Sequence, residues 1–377
     1  MKIILAPDSF KGSMSATEVT NYMIESINEV YPLAEIHALP VGDGGEGTME
    51  ALVNATHGTF HKATVTGPLG NRVTAQYGVL NDNETCIIEM AEASGLKHLS
   101  EEDLNAMTTT TYGTGELLHD ALNKGYKKFI LAIGGSATND AGAGMLQALG
   151  AKLTDVNGKD IPFGGGALQH IKQIDLTHFD SRIEGCDFII ATDVQNPLIG
   201  KNGASHVFGK QKGATSNEIA QLDSNLTHWA DLVEKHQKVR LHDMSGAGAA
   251  GGLGGAFKAF FPSCFEDGIQ VVIKHTRLEQ LLDDADLVIT GEGKIDFQTF
   301  FGKTPIGIAE CAQKFNVPVI FIGGSVEVDV EQLDKVGVVS AFSLTDGPLS
   351  LAETLATSEK LIKKTTKNIV RTFFHNH

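Results

Sequence analysis

The sequence predicts an α/β protein of two domains, a parallel-sheet domain interrupted by a second one, and three observations carry that prediction. A chain of 377 residues exceeds the size of a single typical core, so two globular domains are expected. A unit recurs along it: a short apolar, β-branched run, a small-residue turn carrying an acid, and a segment with helical spacing of apolar residues. That alternation is the pattern of a parallel sheet with crossover helices. Between Thr64 and Ser100 the pattern changes to alternating residues with turns at GPLGN and NDNET, which reads as antiparallel, and the first pattern resumes at Asp286. The first domain is therefore placed at residues 1–65 and 286–377, and the inserted domain at 66–285.

The units follow in order. KIILAP leads to Asp8 and to a helix whose start, SATEV, has Ser15 as N-cap and Glu18 completing a capping box. Its apolar stripe is Val19, Met23, Ile27 and Val30. EIHALPV leads to Asp43 and Glu46 in GDGGEG and to a helix through Met49, Leu52 and Val53. KKFILAIGG leads to Asp140, DFIIAT to Asp193, ADLVITG to Glu292 and Asp296, and VVSAFSLT to Asp346, whereas VPVIFIGG has no acid after it.

Composition narrows the function classes. With 42% hydrophobic and 20% charged residues the chain reads as a folded protein, and 42 glycines against 10 prolines imply many close backbone approaches. A net charge of -16 argues against a general binder of nucleic acid or anionic membranes, which select clustered Lys and Arg. Cys86, Cys186, Cys264 and Cys311 show neither disulfide nor zinc spacing and are expected to be buried thiols. The N-terminal MKIILAP is too short for a signal sequence and no segment reaches membrane-span length, so the cytoplasm is the expected compartment. The 14 histidines form no HExxH, and GxSxG is absent.

Open parallel sheets bind ligands beyond the carboxyl ends of their strands, where Asp8, Asp43, Glu46, Asp140, Asp193, Glu292 and Asp296 fall. Grouped carboxylates stay ionised only beside a cation or basic side chains, and magnesium with a nucleotide meets that need. Any one of these acids reads equally as a helix cap or turn residue. PDSFKGS places Lys11 and the hydroxyls of Ser9, Ser13 and Ser15 at a helix start, a setting for a phosphate or carboxylate. GDGGEG matches GxGxxG through Gly42, Gly44 and Gly47, but Asp43 and Glu46 would repel a pyrophosphate and the ribose-binding acid is missing, which disfavours a dehydrogenase.

The Walker A pattern also fails, because GKT at Gly302 to Thr304 has Phe297 where the leading glycine belongs. GGSATNDAGAG, Gly134 to Gly144, offers Ser136, Thr138, Asn139 and Asp140 together with N–H donors for an anion. ATDVQNPLIGKNGA presents Asp193 and Asn196 after a strand, and FGKQKGA adds Lys210 and Lys212, so that a carboxylate facing two lysines suggests a base beside an anion site; a surface ion pair is the plainer alternative. SGAGAAGGLGGA, Ser245 to Ala256, suits close packing against a neighbouring element.

Taken together, APDSFKGS, PVGDGGEGT, YGTGELL, LAIGGSATNDAGAGMLQALGA, ATDVQNPLIGKNGA, FGKQKGA, GAGAAGGLGGA and ITGEGKIDFQT resemble the glycerate kinase family of the bacterial glycerate 2-kinase type, over nearly the whole chain. The resemblance implies a flavodoxin-like α/β domain with a second α/β domain inserted into it. It also implies ATP, Mg and D-glycerate as ligands and 2-phosphoglycerate as product. Members carry an arginine in the GEGRxD position where this chain has Lys294, which keeps the charge without the bidentate fork.

Phosphoryl transfer needs alignment and charge neutralisation. On that basis Asp193 is assigned as base, Lys11 and Lys294 as neutralisers of phosphate or carboxylate, and Asp8, Glu292 and Asp296 as holders of Mg or its waters. Asp43, Glu46, Ser136, Asn139, Asp140 and Asn196 are assigned to the substrate. The alternatives are another phosphotransferase or phosphatase acting on a small hydroxy acid, and a non-catalytic binder of small anions. The sequence is silent on whether the chain forms a homo-oligomer.

Overall fold

The computed structural model describes residues 1–10, 12–42, 44–300, 304–345, 347 and 349–375, apart from the side chain of Gln298. Its strands in chain order are β1 (Lys2–Pro7), β2 (Glu35–Ala38), β3 (Thr59–Thr66), β4 (Arg72–Val79), β5 (Thr85–Glu89), β6 (Lys128–Ala132), β7 (Lys152–Thr154), β8 (Gln173–Asp175), β9 (Asp187–Ala191), β10 (Ser263–Glu266), β11 (Leu287–Ile295), β12 (Val319–Val326) and β13 (Val338–Ser343). The chain divides into two compact units, one of Met1–Asp43, Glu50–Thr56 and Gly268–His377, the other of Gly44–Met49 and His57–Asp267. The divisions fall at 56/57 and 267/268, earlier in the chain than the 65/66 and 285/286 expected. β3 pairs along its length with β4, and Gly307, in the helix Thr304–Gln313, packs on Ile269, which draws residues 268–285 into the first unit.

In the first unit the strand order is β13-β12-β11-β1-β2, parallel throughout. Counted within the unit this is 2-1-3-4-5, the flavodoxin-like order, whose switch point lies between β1 and β11. Ile3, Ile4, Leu5 and Ala6 are all fully buried, as a central strand covered on both faces requires. On one face Ile3, Leu5, Leu287, Ile289, Ile320 and Ile322 pack with Val19, Met23 and Ile27 of the helix Ala16–Val30. That helix starts as expected: Ser15 Oγ accepts from Glu18 N at 3.2 Å and Glu18 Oε2 accepts from Ser15 N at 2.8 Å.

The second unit is built on a sheet of order β10-β9-β6-β5-β4-β3. β10, β9, β6 and β5 are parallel, while β5–β4 and β4–β3 are antiparallel. Both sheets and their helices make this an α/β protein in which the second unit is inserted into the chain of a flavodoxin-like one. The core of the second unit is aromatic at its centre. Phe129 stacks on Phe188 with centroids 5.0 Å apart, and Phe261 meets Phe188 edge-on at 5.2 Å. Among the described residues no helix is long and apolar enough to cross a membrane. Cys86, Cys186 and Cys311 are buried thiols, but Cys264 is exposed because it lies on β10, the edge strand.

Phe188 is 1% exposed and touches three aromatic rings, so Phe188→Ala leaves a cavity that collapse cannot fill. The expected loss is about 3–5 kcal/mol in the urea transition of this unit, followed by tryptophan fluorescence from Trp229.

Candidate active site

The parallel strands of each unit end in the segments where the sequence concentrates acids and glycines. In the first unit Pro7 pairs with Gly291, and the Asp8 N–H donates to the Gly291 carbonyl at 2.8 Å. This register sets Asp8 and Glu292 side by side at the switch point between β1 and β11. Asp8 is 7% exposed and one of its carboxylate oxygens accepts from Ser9 N at 2.6 Å, while Glu292 Oε1 accepts from Thr299 Oγ1 at 2.8 Å. Lys294, expected to neutralise a phosphate, instead meets Glu327 at 3.0 Å and Asp296 at 3.4 Å. Glu327 first, and then Asp296, hold its pKa above the usual lysine range, so its charge is already matched by two carboxylates. Lys11 lies outside the described residues.

In the second unit three glycine-bearing segments meet over the ends of β6 and β9. Gly134 N donates to the Gly44 carbonyl at 3.0 Å, and Gly44 has φ +83° with Ala191 O so near that an added Cβ would lie 2.9 Å from it. Only glycine fits there, which fixes Gly44 against the sheet end, and the Glu46 side chain lies beside Gly135. Asp43 lies outside the described residues. The third segment, Gly246 to Gly252, joins the second where Ala141 N donates to Gly251 O at 3.0 Å, and it meets the stretch after β9 where Gly248 N donates to Asn196 O at 3.0 Å and Gly246 N to Gln195 O at 3.1 Å. A Cβ on Gly251 would stand 2.0 Å from the Thr138 carbonyl. The small-residue run thus serves packing, as its composition suggests.

The structure gathers Glu46, Ser136, Asn139, Asp140, Asp193 and Asn196 on these segments of the second unit, and Asp8, Glu292, Lys294 and Asp296 at the strand ends of the first. Two of the expected substrate contacts change character. Asp140 is fully buried, and its carboxylate accepts from Thr111 N at 2.8 Å, Thr111 Oγ1 at 2.9 Å, Gly142 N at 3.1 Å and Gly144 N at 3.3 Å. It anchors the loop. Burial raises its pKa, against the pull of these donors. Asn139 is also fully buried and its Nδ2 donates to Ser205 Oγ at 3.0 Å. Asn196 Nδ2 donates to the Asn202 carbonyl at 2.9 Å, and Ser136 is buried at 7% exposure.

Lys212 and Lys210 do not behave as a pair facing Asp193. Lys210 is exposed, whereas Lys212 is 2% exposed and its Nζ donates to Ser136 Oγ and to the Thr138 carbonyl, each at 2.7 Å. Burial pushes its pKa down to about 7, with the charge of Asp140 acting the other way.

Glu89, at the end of β5, was not selected from sequence. It is 3% exposed, accepts from Met49 N at 2.7 Å, and burial pushes its pKa up to about 7, opposed by that N–H and reinforced by Glu92 and Glu46. The signal was an acid closing the run TCII, the same strand-then-acid pattern seen elsewhere, hidden because β5 was read with its antiparallel neighbours.

A doubly wound unit with acids at its switch point, and a second sheet ending in glycine loops with buried N–H donors and a lysine, define an α/β enzyme of small polar ligands. The family model described as the glycerate kinase family matches residues 3–374. Glycerate 2-kinase of Escherichia coli strain K12 is 46% identical over 372 residues, covering 99% of this chain and 98% of its own length. Glycerate kinase of Bacillus subtilis strain 168 is 46% identical over 369 residues, covering 98% and 97%. A crystal structure from Salmonella typhimurium LT2, 46% identical, aligns with a TM-score of 0.87 over 100% of this chain and 98% of that one. The chain belongs to the glycerate kinase family.

Glu89 gives a pH signature. Its folded pKa of about 7 lies above the unfolded 4.5, so the native state binds more protons between those values and stability falls as pH rises through that window. Glu89→Gln keeps an acceptor for Met49 N and removes the buried charge. Its unfolding free energy is expected to match wild type near pH 5 and to exceed it at pH 8 by on the order of 3 kcal/mol at most, read from urea transitions at the two pH values.

Proposed function

We infer that this chain transfers the terminal phosphoryl group of ATP to a hydroxyl of D-glycerate, forming 2-phosphoglycerate. The observation that carries the reading is full-length kinship, with the family match running from residue 3 to residue 374 and a 46% identical relative named glycerate 2-kinase. A chain that consumes ATP in metabolism of a small organic acid belongs in the cytoplasm.

The donor set fits a magnesium ion that arrives with its nucleotide. Among the described residues no group of three or more His, Cys, Asp or Glu forms a protein-only cage. Magnesium usually keeps several waters and takes one or two carboxylates besides phosphate oxygens. Asp8 and Glu292, set side by side by the register of β1 and β11, supply that number, with Asp296 four residues beyond Glu292. When bound, the ion would draw charge from the phosphate oxygens.

The chain's own residues supply orientation and proton transfer. Asp193, partly exposed just past β9, is the base that takes the proton of the attacking hydroxyl. Ser136 and Glu46 sit on neighbouring segments of the same unit and orient the substrate's oxygens. Lys11 and Lys294 offset negative charge, Lys294 by exchanging its carboxylate partners for an anionic ligand.

Phosphorus NMR of the product formed from ATP, magnesium and D-glycerate tests the reading. A phosphomonoester on the second carbon is expected, and an ATP turnover rate indifferent to glycerate would sink it. Asp193→Asn is expected to lower kcat by about 10²–10⁴-fold while glycerate still binds. Turnover within a few-fold of wild type would remove Asp193 from the role of base.

A further inference from the structure

Lysine is almost never fully buried without a partner, and removing its ammonium from water is costly. Lys212 is nonetheless enclosed, at the end of the short turn Lys210–Lys212, which Gly213 stops with φ +86°. If the fold needed only a donor for the Thr138 carbonyl, an uncharged side chain would serve. The two acceptors of Lys212 sit on either side of Ala137 in the loop that follows β6, and Ser136, itself buried, directly follows the exposed Gly135.

Asp140 anchors the far end of the loop, and backbone contacts hold its middle. Thr109 Oγ1 donates to the Ala137 carbonyl at 2.9 Å and Ala137 N donates to Ser94 O at 3.0 Å, which fixes the backbone between the two contacts. The side-chain oxygens of Thr138 and Asn139 are buried with no hydrogen-bond partner, while Asn139 Nδ2 donates to Ser205 Oγ at 3.0 Å. Gly251 closes over the Thr138 carbonyl so tightly that no other side chain could reach it from that side.

We propose that Lys212 is a positioning residue for phosphoryl transfer, acting through Ser136: its ammonium holds the Ser136 hydroxyl and the Thr138 carbonyl so that the loop presents Ser136 to the substrate. The proposal rests on the glycerate kinase reading. Lys212 itself does not touch the reacting atoms.

The test begins with the wild-type chain, whose glycerate-dependent ADP formation must be present; its absence would overturn both the functional reading and this one. Lys212→Met, which keeps the length and loses both donors, is then compared with Ser136→Ala and with the double variant. Lys212→Met is expected to fold with a thermal midpoint within a few degrees of wild type. Its kcat should fall roughly 10²-fold, the loss expected of a misplaced orienting group, with KM for MgATP unchanged. The double variant should be no slower than the worse single variant, because the lysine acts through the serine. Losses that multiply in the double variant, or a Lys212→Met rate within about threefold of wild type, would overturn the proposal. Should Lys212→Met fail to fold, Lys212→Gln, which keeps a donor for the Thr138 carbonyl, carries the same comparison. A Gln variant that also fails to fold would assign the lysine to stability alone and end the proposal.

Discussion

A loop that runs beneath the surface must find hydrogen-bond partners for its polar groups within the protein, since each one left unpaired costs about 1–3 kcal/mol. The segment from Gly134 to Gly142 is under that constraint throughout. Asp140 gathers four donors from Thr111, Gly142 and Gly144, Lys212 supplies Ser136 and Thr138, and Ser94, Thr109 and Gly251 pair with Ala137 and Ala141, while the side-chain oxygens of Thr138 and Asn139 go unpartnered. Ala141 is held at φ 55°, a backbone region unfavourable to a residue with a Cβ, and this conformation persists because its neighbours over-determine it. The glycine segments around Gly44 and Gly251 approach so closely because those partners are backbone atoms.

The chain is strongly acidic, and an anionic ligand is nonetheless accommodated by local arrangement. The strand ends offer N–H groups and one enclosed ammonium in the second unit, and paired carboxylates suited to a cation in the first. Environment, more than residue type, sets the charge of each group. Glu89 and Lys212 both come to about 7 from opposite directions, each moved mainly by loss of water. A carboxyl and an amine near neutrality in one unit are the kind of groups whose protonation ordinary changes of cellular pH can alter.

Much of the architecture is legible in the sequence because its signals are local. The capping box at Ser15 and Glu18, the stripe of Val19, Met23 and Ile27, and the strand-then-acid repeat each depend on residues within one or two turns of each other. Roles in the site depend on distant partners and were less legible. Asp140 looks like a ligand-facing acid until Thr111, 29 residues earlier in the chain, is seen to take up its carboxylate. Lys210 and Lys212 are two residues apart in one motif, and only the folded chain shows that one is exposed and the other enclosed. Glu89 was obscured by a sheet that changes direction at β5, antiparallel to one neighbour and parallel to the other.

The pairing of β1 with β11 also dictates an order of events while the chain is being made. Contacts such as Thr290 Oγ1 to the Ala6 carbonyl join residues 284 positions apart, so at ordinary translation rates β1 waits roughly 15–60 s for its central neighbour to be synthesised. In the inserted sheet each strand lies beside the next of that sheet along the chain, and its last strand ends at Glu266, before β11 is made. The nascent protein therefore carries the apolar β1 without its central neighbour while the middle of the chain is already able to fold, and uncovered apolar strands of this kind favour aggregation.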